Sequence, residues 1–330
     1  MAAAITRRAM GLAALGALAA GSVHAQAWPS RPIRLVVPFP AGNAGDITAR
    51  IIGEEIAKRL GQPVVVDNRA GASGAIGIQA VMQAPADGHT LLVTSLSPLS
   101  IVPALTRSLP YDPERDLLPV ALVGWTGMLL VAAPDFPAGD VGGVVRELQS
   151  HPGKHSFANI GPGTLSHLTQ EQFRVALGLQ FEAVPYRGSG QALLDVSTGR
   201  VGLMFDGMTS SLAQVQAGRV KAIAVSSQRR SSFAPEVPTL AESGNPRLNN
   251  FEAVGWTGML APRGTPQAVI ERLNAVVNDA LRDPGLVQRF AAQALDTYPP
   301  SGPAEFGAYI RADLARWRGV VQDAGIPVTN

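Results

Sequence analysis

Six short stretches rich in glycine, serine and threonine hold most of the chemistry this chain can do. They are 40-PAGNAGD-46, 70-AGASG-74, 94-TSLSP-98, 159-NIGPGTLSH-167, 186-YRGSGQ-191 and 206-DGMTSS-211. Glycine lets a backbone come close to a ligand, and hydroxyls add adjustable polar groups. Each stretch runs into a candidate helix start, where free N–H groups and the positive end of the helix dipole favour an anion. Only Arg69 and Arg187 bring positive charge, and no phosphate-loop lysine is present. A carboxylate held by amides and hydroxyls is therefore expected, rather than a polyphosphate. Asp46 and Asp206 are read as helix caps or, if they face the ligand, as groups favouring a hydroxyl, N–H or ammonium, or a water-bridged carboxylate. Thr164, Ser189 and Ser210 would also appear as simple N-caps, so the reading rests on the six loops together.

Enzyme motifs fail one by one. Gly71-Ala72-Ser73-Gly74-Ala75 misses G-x-S-x-G at its last position. GASGAIG gives G-x-x-G-x-x-G, without the acidic residue that a dinucleotide loop needs after its next strand. Ser166 and His167 are adjacent, and adjacent helical residues point apart. No catalytic residue and no cofactor is expected; the rival reading is an exported α/β hydrolase using Ser73 or Ser166. The absence of cysteine excludes disulfides, zinc–thiolate sites, iron–sulfur clusters and a thiol nucleophile. The five histidines (His24, His89, His151, His155 and His167) are read as loop or surface residues without a local metal motif, so no metal is expected.

The elements that must position these loops alternate. Ile33–Val37, Val64–Val66 and Thr90–Val93 read as buried strands, with a helix from Asp46 to Leu60 and a second helical stretch between them. A second block gives strands at 155–158, 181–186, 201–206 and 221–226, with helices at 164–177, 189–198 and from about Ser210. This alternation predicts an α/β fold of two lobes, each a mostly parallel sheet flanked by helices. Ligands of such sheets bind beyond the carboxyl ends of the strands, where the six loops lie. Thr265-Pro266 reads as a cap and first-turn proline, and Pro303 opens a last helix.

The string VGWTGML occurs twice, at Val123–Leu129 and Val254–Leu260. The flanks are not similar over tens of positions, so a tandem duplication is not supported. Two extended connections between the lobes fit better, one outbound at about 120–131 and one returning at about 251–261. Lobe one is then 28–124 plus 255–330, and lobe two is 125–254.

The first 27 residues carry Arg7-Arg8, an apolar stretch from Ala9 to Ala20, and Ala25-Gln26-Ala27, the pattern of an export signal cleaved near Ala25 or Ala27. Either the general secretory or the twin-arginine route is open. Without Arg7 and Arg8 the 27 basic residues become 25, against 25 acidic ones. A balance of zero leaves no electrostatic footprint for nucleic acid.

The stretches WPSRPIRLVVPFPAGNAGDITAR, GQPVVVDNRAGASGAIG, ADGHTLLV, LPYDPERDLLPVALV, GPGTLSHL, VPYRGSGQALLDVSTGRVGLMFD and VKAIAVSS…PEVPTLAESG resemble the tripartite tricarboxylate transporter solute receptors, the Bug-type proteins, from Trp28 to Ile326. The resemblance implies a periplasmic type II binding protein, a monomer that closes two lobes joined by hinge strands around a small carboxylate. It also implies a membrane permease or a sensor kinase as partner, and a ligand surrounded by the loops at 40–46 and 161–167, Tyr186 to Ser189 and Asp206. The family commonly reads P-P-G-G before the acid; here Ala41 replaces the second proline and Asn43 the second glycine, so ligand identity does not carry over. Together with the loop after the third strand, the candidate ligand set is Ala41, Gly42, Asn43, Ala44, Asp46, Thr94, Ser95, Ser97, Gly161, Gly163, Thr164, Ser166, His167, Tyr186, Gly188, Ser189 and Asp206.

Overall fold

The computed structural model describes residues 28–329, so the export signal read at 1–27 lies outside the described residues. Strands β1 (Ile33–Val37), β2 (Val64–Asn68) and β3 (Thr90–Ser95) pair in parallel in the order β2-β1-β3. Helices α1 (Ala44–Leu60) and α2 (Ala75–Met82) make the crossovers. Side chains on both faces of β1 are buried: Ile33, Leu35 and Val37 enter one cluster and Val36 the other. A parallel sheet with helices on both faces requires this, and it explains why β1 reads as a continuous apolar run.

The second lobe repeats the plan. β5 (Ser156–Asn159) pairs in parallel with β6 (Glu182–Pro185) and β7 (Leu203–Gly207). Helices α3 (Val141–Ser150), α4 (Leu165–Leu177), α5 (Ser189–Ser197) and α6 (Met208–Gln216) belong to this part of the chain. The sequence reading did not anticipate α3, although Asp140 caps it by accepting from the Gly143 N–H at 2.7 Å.

One long strand, β4 (Leu117–Ala132), serves both lobes. Its residues Leu117–Gly127 pair antiparallel with β9 (Val254–Pro262), which also pairs with β3. From Met128 to Ala132 it lies between β7 and β8 (Lys221–Val225), antiparallel to both. The change of partner between Gly127 and Met128 falls inside the expected outbound connection. The repeated heptapeptide explains itself here, because its copies pair with each other: Trp125 stands opposite Trp256, Gly124 opposite Thr257, and Thr126 opposite Gly255. The pairing is centred on the two tryptophans, with glycine facing threonine on either side. The pairing covers four residues of each copy, Gly124–Gly127 against Val254–Thr257, and the other three of each copy have different neighbours.

Three helices finish the chain: α7 (Gln267–Ala280), α8 (Pro284–Ala291) and α9 (Pro303–Asp323). Ile270, Leu273 and Val277 of α7 and Phe290 of α8 close the core over β1, β3 and α1. Pro266 itself is the N-cap of α7, and Thr265 donates its hydroxyl to the Pro262 carbonyl at 2.8 Å instead of capping. On the other face of the sheet, α9 packs against both lobes. Its Asp313 accepts from the Trp256 indole at 2.8 Å, and Arg174 of α4 reaches the carbonyl of Ala324 at 3.5 Å.

The two crossings are fastened at one residue. The Ser226 hydroxyl accepts from the Met128 N–H at 2.8 Å and donates to the Ala253 carbonyl at 2.6 Å. Its own N–H donates to the Met128 carbonyl, and its carbonyl accepts from the Ala253 N–H, each at 2.9 Å.

Candidate functional site

The first loop is built around Asp46. Asn43 caps α1 by accepting the Asp46 N–H at 2.9 Å, and Gly42 turns at φ +87, a left-handed conformation suited to glycine. The Asp46 carboxylate folds back and accepts from the Gly42 N–H at 2.9 Å, from Arg50 Nε at 3.0 Å and from Asn68 Nδ2 at 3.0 Å. Burial alone would raise its pKa; the bonds from Arg50, Gly42 and Asn68 outweigh burial and hold it below the ordinary carboxylate range. Asp46 therefore shapes the loop, while Ala41, Gly42 and Ala44 stay exposed along it. The Asn43 oxygen is spent on the cap, which leaves its amide N–H groups as the new feature of this loop.

The second loop, 71–74, is left-handed at every residue, including Ala72 at φ 47 and Ser73 at φ 52. Such strain in two non-glycine residues gathers at sites with a functional demand. Gly74 caps α2 without any side-chain hydrogen bond. In the third loop Ser95 and Ser97 are half-buried, and the buried Tyr111 hydroxyl anchors the chain on the Pro98 carbonyl at 2.7 Å. Thr94 is fully buried, and its hydroxyl has no partner among the described residues.

In lobe two the loop after β5 is wired from below. The Asn159 side chain accepts the Gly161 N–H at 3.0 Å and donates to Gln170 at 3.1 Å. Gly161 and Gly163 take φ +109 and +74. Thr164 is the N-cap of α4, accepting from the His167 N–H at 3.3 Å and donating to the Gly161 carbonyl at 2.7 Å. The His167 Nδ1 accepts from the Gly163 N–H at 3.3 Å, which assigns the ring proton to Nε2. Burial pulls the His167 pKa below its usual value, so near neutral pH the ring is an uncharged N–H donor. Ser166 is buried and gives its hydroxyl proton to the Phe205 carbonyl at 2.5 Å. That geometry leaves no Ser166–His167 pair, and it removes Ser166 as a hydrolase nucleophile in this arrangement.

The last two loops share one buried group. Tyr186 turns its hydroxyl to Asp195 at 2.8 Å; burial first and that carboxylate second push its pKa up to about 12. Gly188 caps α5 with an extended backbone and no side-chain bond. Ser189 donates to Oδ1 of Asp206 at 2.5 Å, and Ser211 donates to Oδ2 at 3.1 Å. Ser210 also donates to Oδ2. Asp206 is 0% exposed, so it is a hub beneath the helix starts and does not itself line the surface.

These bonds join Gly161, Gly163, Thr164 and His167 in one group and Ser189 with Asp206 in another, while Tyr186 and Ser166 bond elsewhere; the lobe-one candidates lie at the ends of β1 and β3. Sequence reasoning passed over Thr126, whose hydroxyl is buried and unpartnered among the described residues. A side chain at its cross-strand neighbour Gly255 would touch Thr126 at 3.4 Å and Leu165, the first residue of α4, at 3.7 Å, so Thr126 lies beside the start of α4. The repeated string concealed it, since a threonine within a strand pattern carries no signal of its own.

His151 and His155 stand four residues apart, a metal-like spacing that the sequence reading missed. Both turn to one oxygen of Glu147, at 3.1 and 2.7 Å. Among the described residues no three His, Asp or Glu side chains are grouped to hold a metal ion. A surface cavity of about 640 Å³ is lined by Thr106, Arg107, Tyr111, Glu114 and Arg318 and shares no residue with the candidate loops.

Comparison with known proteins identifies the family. Residues 48–326 match the model of the tripartite tricarboxylate transporter family receptor. The chain is similar to protein BugT of Bordetella pertussis, at 38% identity over 307 residues, covering 93% of each chain. It is also similar to the solved structure of R. palustris Rpa4515 with adipate, with a TM-score of 0.74 at 31% identity over 92% of this chain and 100% of that one. MatC from Rhodopseudomonas palustris with bound malate gives a TM-score of 0.69 at 33% identity, over 89% and 100%.

Proposed function

The chain belongs to the tripartite tricarboxylate transporter receptor family, and from that membership we propose that it clasps a small organic carboxylate between its two lobes and presents it to a membrane partner. Adipate and malate are the ligands named for two similar receptors. The observation that carries the reading is the set of helix starts at the carboxyl ends of both parallel sheets. α4 begins beside the neutral N–H donor of His167; α5 and α6 begin without a side-chain cap but over the buried Asp206 carboxylate, which offsets part of their pull on an anion; and α2 follows a 3-10 turn at 72–74 that already takes up the Gly74 and Ala75 N–H groups. First-turn N–H groups left without an internal partner suit a carboxylate, and they supply charge complementarity without a lysine.

The ligand set is the seventeen residues from Ala41 to Asp206 named above, with the buried Asp46, Thr94, Ser166 and Asp206 acting from behind the surface and Thr126 added beside α4. The lobes are 28–124 with 255–330 and 125–254, moving about the crossings at Gly127–Met128 and Phe251–Ala253. The protein is exported, loses its leader near Ala25 or Ala27, and works as a monomeric binder without catalysis, delivering to a permease or reporting to a sensor kinase. Calorimetry of the mature protein with mono-, di- and tricarboxylates tests the reading. Binding on the order of micromolar, about −8 kcal/mol, is expected for at least one acid. No heat and no thermal shift across the panel refutes it.

A further inference from the structure

Resting on that reading, we infer that the ligand carries a hydrogen-bond donor, a hydroxyl or an amino group, beside the carboxylate that the helix starts attract. The inference follows from where the protons of three serines go. A serine hydroxyl has one proton and two lone pairs. Ser189 gives its proton to Oδ1 of Asp206 at 2.5 Å, while Ser210 and Ser211 give theirs to Oδ2. A hydroxyl bound to a carboxylate makes a short, charge-assisted bond that is hard to exchange for another. The alternative acceptor for Ser210, the Gly207 carbonyl at 3.0 Å, is neutral and farther.

Ser211 is buried and meets no ligand, but Ser189 and Ser210 are only half-buried. They occupy the first turns of α5 and α6, at the carboxyl ends of β6 and β7, where the cleft lies. With their protons committed inward, these two hydroxyls offer only lone pairs outward. A carboxylate oxygen brought against them meets like with like. A ligand O–H or N–H meets an acceptor backed by a buried negative charge. Asp206 also sits beneath both helix starts and offsets their positive ends, so α5 and α6 attract an anion less than their geometry alone suggests.

The start of α4 has the opposite character. There His167 presents Nε2–H, Thr164 spends its oxygen on the cap, and no carboxylate lies among the bonds of the loop. Lobe two is therefore a donor surface at α4 and an acceptor surface at α5 and α6. A 2-hydroxy or 2-amino acid complements both at once. A plain alkanoate or alkanedioate leaves the acceptor surface unpaired.

The experiment compares ligands that differ only by the donor: lactate with propionate, malate and aspartate with succinate, and 2-hydroxyglutarate and glutamate with glutarate. In the wild-type protein the hydroxy or amino member of the best-bound pair is expected to bind about tenfold tighter, the scale of one good hydrogen bond to an acceptor of this kind. Asp206→Asn keeps the shape but puts an amide N–H beside the serines. One serine must then accept from it and turn its proton outward, and the tenfold preference falls to about one or inverts. Ser189→Ala and Ser210→Ala should each weaken the hydroxy or amino member more than its partner and lower the ratio within the pair. They carry the test if Asp206→Asn does not fold. Equal affinity within every pair in the wild type overturns the inference, and so does an unchanged ratio in all three variants. If no member of any pair binds and no other carboxylate does, it is the carboxylate-receptor reading that fails.

Discussion

Replacing Ser226 with alanine removes a single oxygen from the point where both inter-lobe crossings meet. The backbone bonds to Met128 and Ala253 survive, because they use the N–H and carbonyl of residue 226. The Met128 N–H loses its acceptor and the Ala253 carbonyl loses a donor. Ser226 is 0% exposed and Met128 4%, so solvent does not readily take the vacated place. An orphaned buried N–H costs about 1–3 kcal/mol, and the lost hydroxyl-to-carbonyl bond adds about 1 kcal/mol. A total of about 3 kcal/mol, at roughly 2 °C per kcal/mol for a large domain, lowers the melting temperature by roughly 6 °C. The substitution touches no candidate ligand residue, yet it loosens the joint, so a broader spread of lobe angles should appear in small-angle scattering without ligand. Carboxylate affinity should fall as the closing-competent fraction shrinks. A variant that melts within 1 °C of the wild type and scatters identically would refute the assignment of Ser226 as the pin of the hinge.

Three further outcomes follow from single contacts. Asp46→Asn sets an amide N–H against the Gly42 and Asn68 donors and loses the Arg50 pair, so it should cost about 2–3 kcal/mol and weaken ligand binding at least about tenfold, read by denaturant titration and calorimetry. The wild-type Asp46 carboxyl stabilises the fold fully above its unfolded value of 3.8, a contribution lost as pH falls through its lower folded value, and the asparagine variant should lack this acid limb. His167 has a folded pKa below 6.5, so the unfolded chain takes up the proton first and stability declines as pH falls from about that value; His167→Gln should flatten that part of the profile. Gly258→Ala would drive a methyl into the Phe306 ring and should destabilise by about 1–3 kcal/mol or more, whereas Gly319→Ala, in open space on α9, should be neutral or stabilising in the same thermal melts.

The lobes were legible because buried parallel strands leave a strong mark. The run Ile33–Val37 is apolar on both faces, and Gly61 and Gly178 stop α1 and α4 in left-handed caps as their positions suggest. What escaped depended on partners distant in sequence. Nothing in VGWTGML says that its own second copy, 131 residues on, lies across from it, and nothing local to Ser226 says that it meets Met128 and Ala253. Likewise the antiparallel entry of β8 and β9 beside β4 cannot be read from strands that look like their parallel neighbours.

The site divides along the same line. Residue types disclose loops that offer amides and hydroxyls, which is enough to expect a carboxylate. They do not disclose which way each hydroxyl points its proton, since serine is written identically whether it donates or accepts. That direction is fixed by Asp206, and Asp206 acts only because burial denies its carboxylate any water and leaves the hydroxyls as its donors. An acid that looked like a ligand contact in the sequence thus works one layer back, setting the polarity of the serines in front of it. The same holds for Asp46, which binds the Gly42 amide and so decides which amides of its loop remain for a ligand. Two carboxylates in an anion receptor are no contradiction once each is turned inward: they orient the donors and acceptors that do the selecting.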